Sequence, residues 1–279
     1  MVFFSNCKIN LGLHVTGKRP DGYHDIETIF YPLPVYDVLE LIPAEVTSLH
    51  LYGHPIPGTK EHNIVWKAYA LLKQQFPDLP PVAFYLLKNI PVGAGLGAGS
   101  ANGTTALKAL DQFFGLQLTR QQLLHAALEL GSDCPFFVIN QPCYATGRGE
   151  ALAPLPLDLK NYYGVIVNPG IHISTPWAFR QLTPASPAVS LKEAVLTPVT
   201  EWVGLVTNDF ESVVFNEYPE IKQIKETLQQ CGAAFTLMTG SGSTVFGLFE
   251  KEPQLPVFPE HYFVKTVLLT SSAPPLPHF

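Results

Sequence analysis

Apolar and polar positions along the chain switch between two periods. Phe3 to Val15 and Val35 to Leu51 are rich in β-branched and aromatic residues and bounded by turn formers such as Lys18 to Gly22, which predicts strands. Between Asn63 and Phe76 the apolar residues Ile64, Val65, Ala68, Leu71, Leu72 and Phe76 recur at helical spacing. A strand is expected at Val82 to Leu87, then a helix whose apolar stripe is Ala106, Leu107, Leu110 and Phe114. Thr119 to Gln122 reads as a capping box opening a helix through Leu123, Leu124, Ala127 and Leu128 that stops at Gly131. Ile221 to Gln230 predicts a further helix, and Ala234 to Leu237, Thr244 to Phe249 and Tyr262 to Leu269 predict strands.

Proline becomes frequent after Arg148 to Glu150, which puts a domain boundary near residues 150 to 160. The chain then divides into domains over 1–155 and 156–270, followed by a Ser- and Pro-rich tail, 271–279, that is expected to be disordered. There is no internal repeat.

With 279 residues, 47% of them hydrophobic and 14% charged, the chain is a globular protein long enough for two domains. Its net charge of -6 argues against a nucleic-acid or anionic-membrane partner, so any phosphate must be held by a local site; small phosphorylated ligands fit better. The cysteines Cys7, Cys134, Cys143 and Cys231 show no C-x-x-C pairing, and the N-terminus carries no secretory signal, so the expected compartment is the cytoplasm. The uncharged stretches Asn89 to Leu107 and Cys231 to Phe249 are broken by polar residues, and neither is expected to span a membrane.

Candidate chemistry gathers at a few places. From Pro91 to Ser100, Gly93, Gly95, Gly97 and Gly99 alternate with small residues and run into a helix. Glycines reach φ > 0 and leave peptide N–H groups uncovered, and a helix N-terminus adds a positive pole, so the loop reads as a phosphate site. It is not a P-loop, because no Gly-Lys pair follows at the required spacing. The dinucleotide fingerprint is nearly met by Gly93, Gly95 and Ala98, but the only nearby acid, Asp111, falls inside the helix. A second loop, Thr239 to Thr244, offers hydroxyls and N–H groups around Gly240, Ser241 and Gly242, or is simply a β-turn. Lys8 and Asn10 share one face of a strand, with Ile9 and Leu11 on the other. Asp133 lies between Gly131 and Pro135 and is either a helix cap or a catalytic carboxylate. Two glycine loops, a polar strand face and a carboxylate suit phosphoryl transfer better than hydride or acyl chemistry.

Three motifs in order carry a resemblance. Lys8 to Leu11 with Asp21 to His24, the loop Pro91 to Ser100, and Thr239 to Phe246 are similar to the signature motifs of the galactokinase, homoserine kinase, mevalonate kinase and phosphomevalonate kinase superfamily, nearly end to end. Within it, the Arg19 to His24 turn and Leu130 to Phe136 resemble the branch that phosphorylates the 2-hydroxyl of 4-diphosphocytidyl-2-C-methyl-D-erythritol in non-mevalonate isoprenoid synthesis.

The resemblance implies an α+β, two-domain small-molecule kinase with its active site in the interdomain cleft. The first domain would bind ATP and carry the catalytic groups, and the second would lie on the substrate side. Asp133 would be the base, and Lys8 would keep it ionised and offset developing charge. Asn10 would position substrate hydroxyls, Tyr23 and His24 would face the cytosine, and Phe179 would be a second aromatic wall. ATP would meet Pro91, Gly93, Ala94, Gly95, Leu96, Gly97, Ala98, Gly99, Ser100 and Ala101, with Asn63 and Lys88 near the adenine and Gly240, Ser241 and Gly242 in the second loop. Mg²⁺ would arrive on the nucleotide, without a protein metal cage. The partners would be ATP and the small substrate, on a monomer or homodimer. Departures from the family pattern are Cys7 for alanine, and Ala98 and Ala101 for glycine and serine. Ala101 removes a hydroxyl, and Ala98 disfavours φ > 0. The alternatives are a related small-alcohol kinase of homoserine or mevalonate type, or a catalytically silent nucleotide-binding sensor.

Overall fold

A computed structural model describes residues 1–187 and 189–270. The expected disordered tail, 271–279, lies outside the described residues. In chain order the elements are β1 (Val2–Lys18), β2 (His24–Pro43), β3 (Ser48–Gly53), α1 (Ile64–Gln75), β4 (Val82–Lys88), α2 (Ala98–Phe114), α3 (Arg120–Leu130), α4 (Cys134–Ile139), β5 (Cys143–Thr146) and β6 (Ala151–Pro154). They continue through β7 (Tyr163–Asn168), α5 (Thr175–Gln181), α6 (Leu191–Ala194), α7 (Phe210–Glu217), α8 (Pro219–Gln230), β8 (Phe235–Met238), β9 (Val245–Phe249) and β10 (Phe263–Leu268).

One sheet has the order β3-β4-β2-β5-β6, with β1 paired to β2, and all its pairs are antiparallel except β3 with β4. Helices α1, α2 and α3 cover one face of it through a core containing Leu39, Leu41, Phe84, Leu86, Leu72, Leu107 and Ala127. The second sheet, β10-β7-β9-β8, is antiparallel throughout and packs against α7 and α8 through Val165, Val167, Phe210, Val214, Ile224 and Leu228. A third core joins the two sheets, combining Cys7, Ile9 and Leu11 of β1 with Ile166, Leu237 and Phe246. The long strand β1 also bridges Leu13 to Asn208 in the loop before α7, and its polar face, with Lys8 and Asn10, lies opposite the apolar face that meets the second sheet.

The expected strand at Val35 to Leu51 is two strands. β2 starts at His24 and ends at Pro43, and β3 begins at Ser48 after a bend. Pro32 and Pro34 masked the first half of β2, since proline cannot donate to a ladder. The fold accommodates them with a register shift: Asn6 pairs Tyr36 and Cys7 pairs Leu33, which leaves Pro34 in the bulge. The capping box is present, with Thr119 accepting from Gln122 N–H and the Gln122 side chain accepting from Thr119 N–H. Among the described residues no helix is long and apolar enough to cross a membrane.

Candidate active site

The alternation of β1 sends Lys8 and Asn10 toward the same side, where both are buried. Lys8 Nζ donates to Asn10 Oδ1 at 2.6 Å, lies 3.4 Å from Asp133 Oδ2, and sits 4.3 Å from the centre of the Phe30 ring. The Asn10 amide cannot turn over, because its nitrogen donates to Thr28 Oγ1 at 2.9 Å while its oxygen faces the ammonium. Asp133 occupies the N-cap position of α4, yet its side chain makes no capping hydrogen bond. The carboxylate, about one-third exposed, is therefore free to face Lys8 and the cavity in front of it.

The two glycine loops meet beside this pair. Gly93, Gly95 and Gly97 take φ of 69°, 76° and 66°. Gly99, expected to share that conformation, is already in the first turn of α2, and so is Ala98, so the cost of φ > 0 never falls on Ala98. A Cβ on Gly95 would come within 2.3 Å of Thr239 O, and one on Gly97 within 2.9 Å of Lys8 Cε. A Cβ on Gly99 would meet nothing within 4 Å, which leaves the helix entrance uncovered. Ala94, Leu96, Ala98 and Ala101 bury their side chains in the cores, so these positions offer only backbone to a ligand. Thr239 links the motifs: its hydroxyl accepts the Asn10 N–H at 2.9 Å and donates to Gly95 O at 3.1 Å. The second loop is braced from below by Asn208, whose amide donates to Met238 O at 2.7 Å and Gly240 O at 2.9 Å. Ser241 reaches α5 through Thr175, hydroxyl to hydroxyl at 2.9 Å.

In front of these loops lies a cavity of about 620 Å³. Tyr23, His24 and Phe179 line it, together with Gly93, Gly95, Gly97 and Gly240. His24 stacks directly on Phe179, ring centres 4.6 Å apart and planes 14° apart, and Phe179 meets Phe210 edge-on at 4.9 Å. Phe179 is thus not a wall across a gap from His24, because at that spacing the two rings already fill each other's faces. Tyr23 stays exposed, with the Arg148 guanidinium 4.7 Å from its ring centre.

Three cations missed by sequence reasoning, Lys18, Arg148 and Arg180, also line the cavity, so with Lys8 four cations face the one carboxylate of Asp133. A chain of net charge -6 has concentrated positive charge at one place. The only signal for Arg148 was its place in the tight Gly147 to Gly149 turn, and a Cβ on Gly149 would lie 3.4 Å from Asp133 Oδ1.

Asn63 and Lys88, expected near the adenine, are engaged elsewhere. Asn63 caps α1, its Oδ1 accepting the Val65 N–H at 2.9 Å. Lys88 forms a fully buried ion pair with Asp37 and also donates to Asn102 Oδ1 at 3.1 Å. Burial pushes its ammonium below the usual lysine range, and the Asp37 carboxylate opposes that shift. Neither residue lines the cavity. Among the described residues, no three His, Cys, Asp or Glu side chains cluster as a metal site would require.

Residues 63–141 match the model of the GHMP kinases N terminal domain, and residues 193–256 match GHMP kinases C terminal. A 4-diphosphocytidyl-2-C-methyl-D-erythritol kinase of Parabacteroides distasonis is 49% identical over 251 residues, which cover 90% of this chain and 92% of that protein. A crystal structure of a 4-(cytidine 5'-diphospho)-2C-methyl-D-erythritol kinase superposes with a TM-score of 0.76 at 29% identity, over 95% of this chain and 98% of the other. A homoserine kinase structure from Cytophaga hutchinsonii has the same fold, with a TM-score of 0.67 at 16% identity over 96% and 95% of the two chains. Two cores meeting at a cationic cleft between glycine loops, and kinship along nine-tenths of the sequence, lead to one conclusion: the chain belongs to the GHMP kinases, ATP-dependent kinases of small molecules, and within them to the 4-diphosphocytidyl-2-C-methyl-D-erythritol kinase family.

Proposed function

We propose that this chain transfers the γ-phosphoryl group of ATP to the 2-hydroxyl of 4-diphosphocytidyl-2-C-methyl-D-erythritol, a step of non-mevalonate isoprenoid precursor synthesis in the cytoplasm. The observation that carries the reading is the uncapped Asp133 carboxylate 3.4 Å from Lys8, where both glycine loops converge. Asp133 accepts the proton of the substrate hydroxyl as its oxygen bonds to the γ-phosphorus and the bond to the ADP oxygen breaks. Lys8, 3.4 Å from Asp133, holds that carboxylate toward the site and offsets charge on the transferring group. Asn10, with its amide orientation fixed, holds the substrate hydroxyls.

The N–H groups from Gly93 to Ser100 and the positive end of α2 receive the nucleotide phosphates, and the open side of Gly99 fits that approach. Mg²⁺ comes with those phosphates and neutralises part of their charge. Lys18, Arg148 and Arg180 suit a substrate that carries a diphosphate, which homoserine and mevalonate lack. Tyr23 and the His24–Phe179 stack provide the surface for the cytosine, with the His24 ring nitrogens toward its polar edge. In this reading residues 1–155 supply the ATP loop and catalytic groups, and residues 156–270 supply Phe179, Arg180 and the second loop.

The test is ADP release from Mg·ATP with the diphosphocytidyl substrate, homoserine, mevalonate or no alcohol, for wild type and Asp133→Asn. Turnover confined to the cytidine substrate, and reduced at least about 100-fold in the variant, is expected. Equal turnover with homoserine or mevalonate overturns the substrate, and near-full turnover by Asp133→Asn overturns the base.

A further inference from the structure

Helix α2 presents Ser100, Thr104 and Lys108 at four-residue intervals, and so on one face. The Thr104 and Lys108 side chains are bonded to α4. Thr104 Oγ1 donates to Cys134 O at 2.9 Å, and Lys108 Nζ donates to Phe137 O at 2.6 Å and Val138 O at 3.4 Å. Those two carbonyls belong to the last turn of α4, where a helix has no partners of its own for them. At the opposite end of that six-residue helix stands Asp133. The N-terminus of α2, in turn, is the phosphate loop.

We propose that Lys108 is a positioning residue for Asp133: its ammonium pins the far end of α4 to α2 and so sets the reach of the carboxylate to the loop that begins the same helix. The inference rests on the reading of Asp133 as base. Lys108 is half-buried with carbonyl oxygens and not a carboxylate as its partners, and this partial burial pulls its ammonium down to about 8. An uncharged side chain of similar length would fill the same space without that penalty. The two roles therefore separate: a residue kept for stability should lower Tm when replaced, whereas one kept for placement should lower turnover at unchanged or higher Tm.

The experiment compares Lys108→Met, Lys108→Arg and Thr104→Val, each in the wild-type and Asp133→Asn backgrounds, by ADP release and thermal unfolding. Lys108→Met is expected to lower kcat about tenfold with both KM values within about twofold, and to leave Tm no more than about 2 °C below wild type. Lys108→Arg should recover most of the loss. In the Asp133→Asn background the same Lys108→Met change should alter residual turnover by less than about twofold, because it acts through the missing carboxylate. Wild-type kcat in Lys108→Met, a full tenfold loss added to that of Asp133→Asn, or a change in KM alone each overturn the proposal. Should Lys108→Met not fold, Thr104→Val decides: a kcat loss of about threefold that vanishes with Asp133→Asn supports it, and unchanged kcat overturns it. High turnover by Asp133→Asn instead strikes the base itself, and that result is read independently of Lys108.

Discussion

The carbonyl oxygen of Thr239 stands 2.3 Å from where a Cβ on Gly95 would be, so the two glycine loops touch backbone to backbone. Gly95→Ala would add a methyl group against that oxygen and force an alanine to φ 76°. We expect a loss of about 2–4 kcal/mol in stability and loss of most activity in the folded fraction. Gly99→Ala is the counterpart, in a helical turn with open space beside it. It should gain about 0.5–1 kcal/mol in denaturant unfolding and still raise the KM for ATP about tenfold by covering the helix entrance. A wild-type KM for ATP in Gly99→Ala would mean that the phosphates bind elsewhere.

Replacing His24 or Arg148 should separate the two substrates. His24→Ala removes one ring of the 4.6 Å stack, and Arg148→Met removes a cavity cation without shortening the chain much. Each is expected to raise the KM for the cytidine substrate about tenfold while the KM for ATP moves less than about twofold. Equal changes for both substrates would relocate the cytidine end of the site.

Three thiols should be silent and pH-sensitive. Burial raises Cys7 from an ordinary 9.0 to about 12, with Asp37 adding to the effect, and raises Cys134 and Cys143 to about 11. At about pH 8 a thiol reagent should therefore modify only the partly exposed Cys231 rapidly in the native protein, and all four cysteines after unfolding. The sign of the linkage follows. The fold holds these protons more tightly than the unfolded chain, so this contribution to stability is complete below pH 9. It falls as pH rises toward the folded values, by about 1.4 kcal/mol per pH unit for Cys7. Urea unfolding at about pH 8 and about pH 10.5 checks it, and stability that climbs across this interval would contradict the assignment.

The legible part of this chain was what neighbouring residues decide together. Lys8 and Asn10 share a strand face because they are two apart, Thr119 and Gln122 cap a helix because they are three apart, and the alternating glycines announce a left-handed loop running into a helix. What escaped was set by distant pairings. Lys88 stands next to that loop in sequence and looks available to a nucleotide, yet its partner Asp37 lies 51 positions away on β2. Lys18, Arg148 and Arg180 come from three separate segments: pairing of β2 with β1 and β5 brings the first two together, and α5 brings Arg180. Strand β7 gave a short apolar run without periodicity, being fully covered along most of its length, and the proline-rich setting around it hid the signal.

The Asp37 carboxylate holds the chain on both sides of the glycine loop. One oxygen accepts the N–H groups of Asn89 and Ile90 just before it, at 2.8 and 3.0 Å, and the other accepts the Asn102 amide just after it, at 2.9 Å. The glycine segment is thus a ring closed on a single clasp. Its ends cannot drift apart, and what freedom remains is confined to the left-handed glycines between them. The entropy of closing such a loop is met when the protein folds, so in the proposed role of this loop a nucleotide would find the curve already drawn.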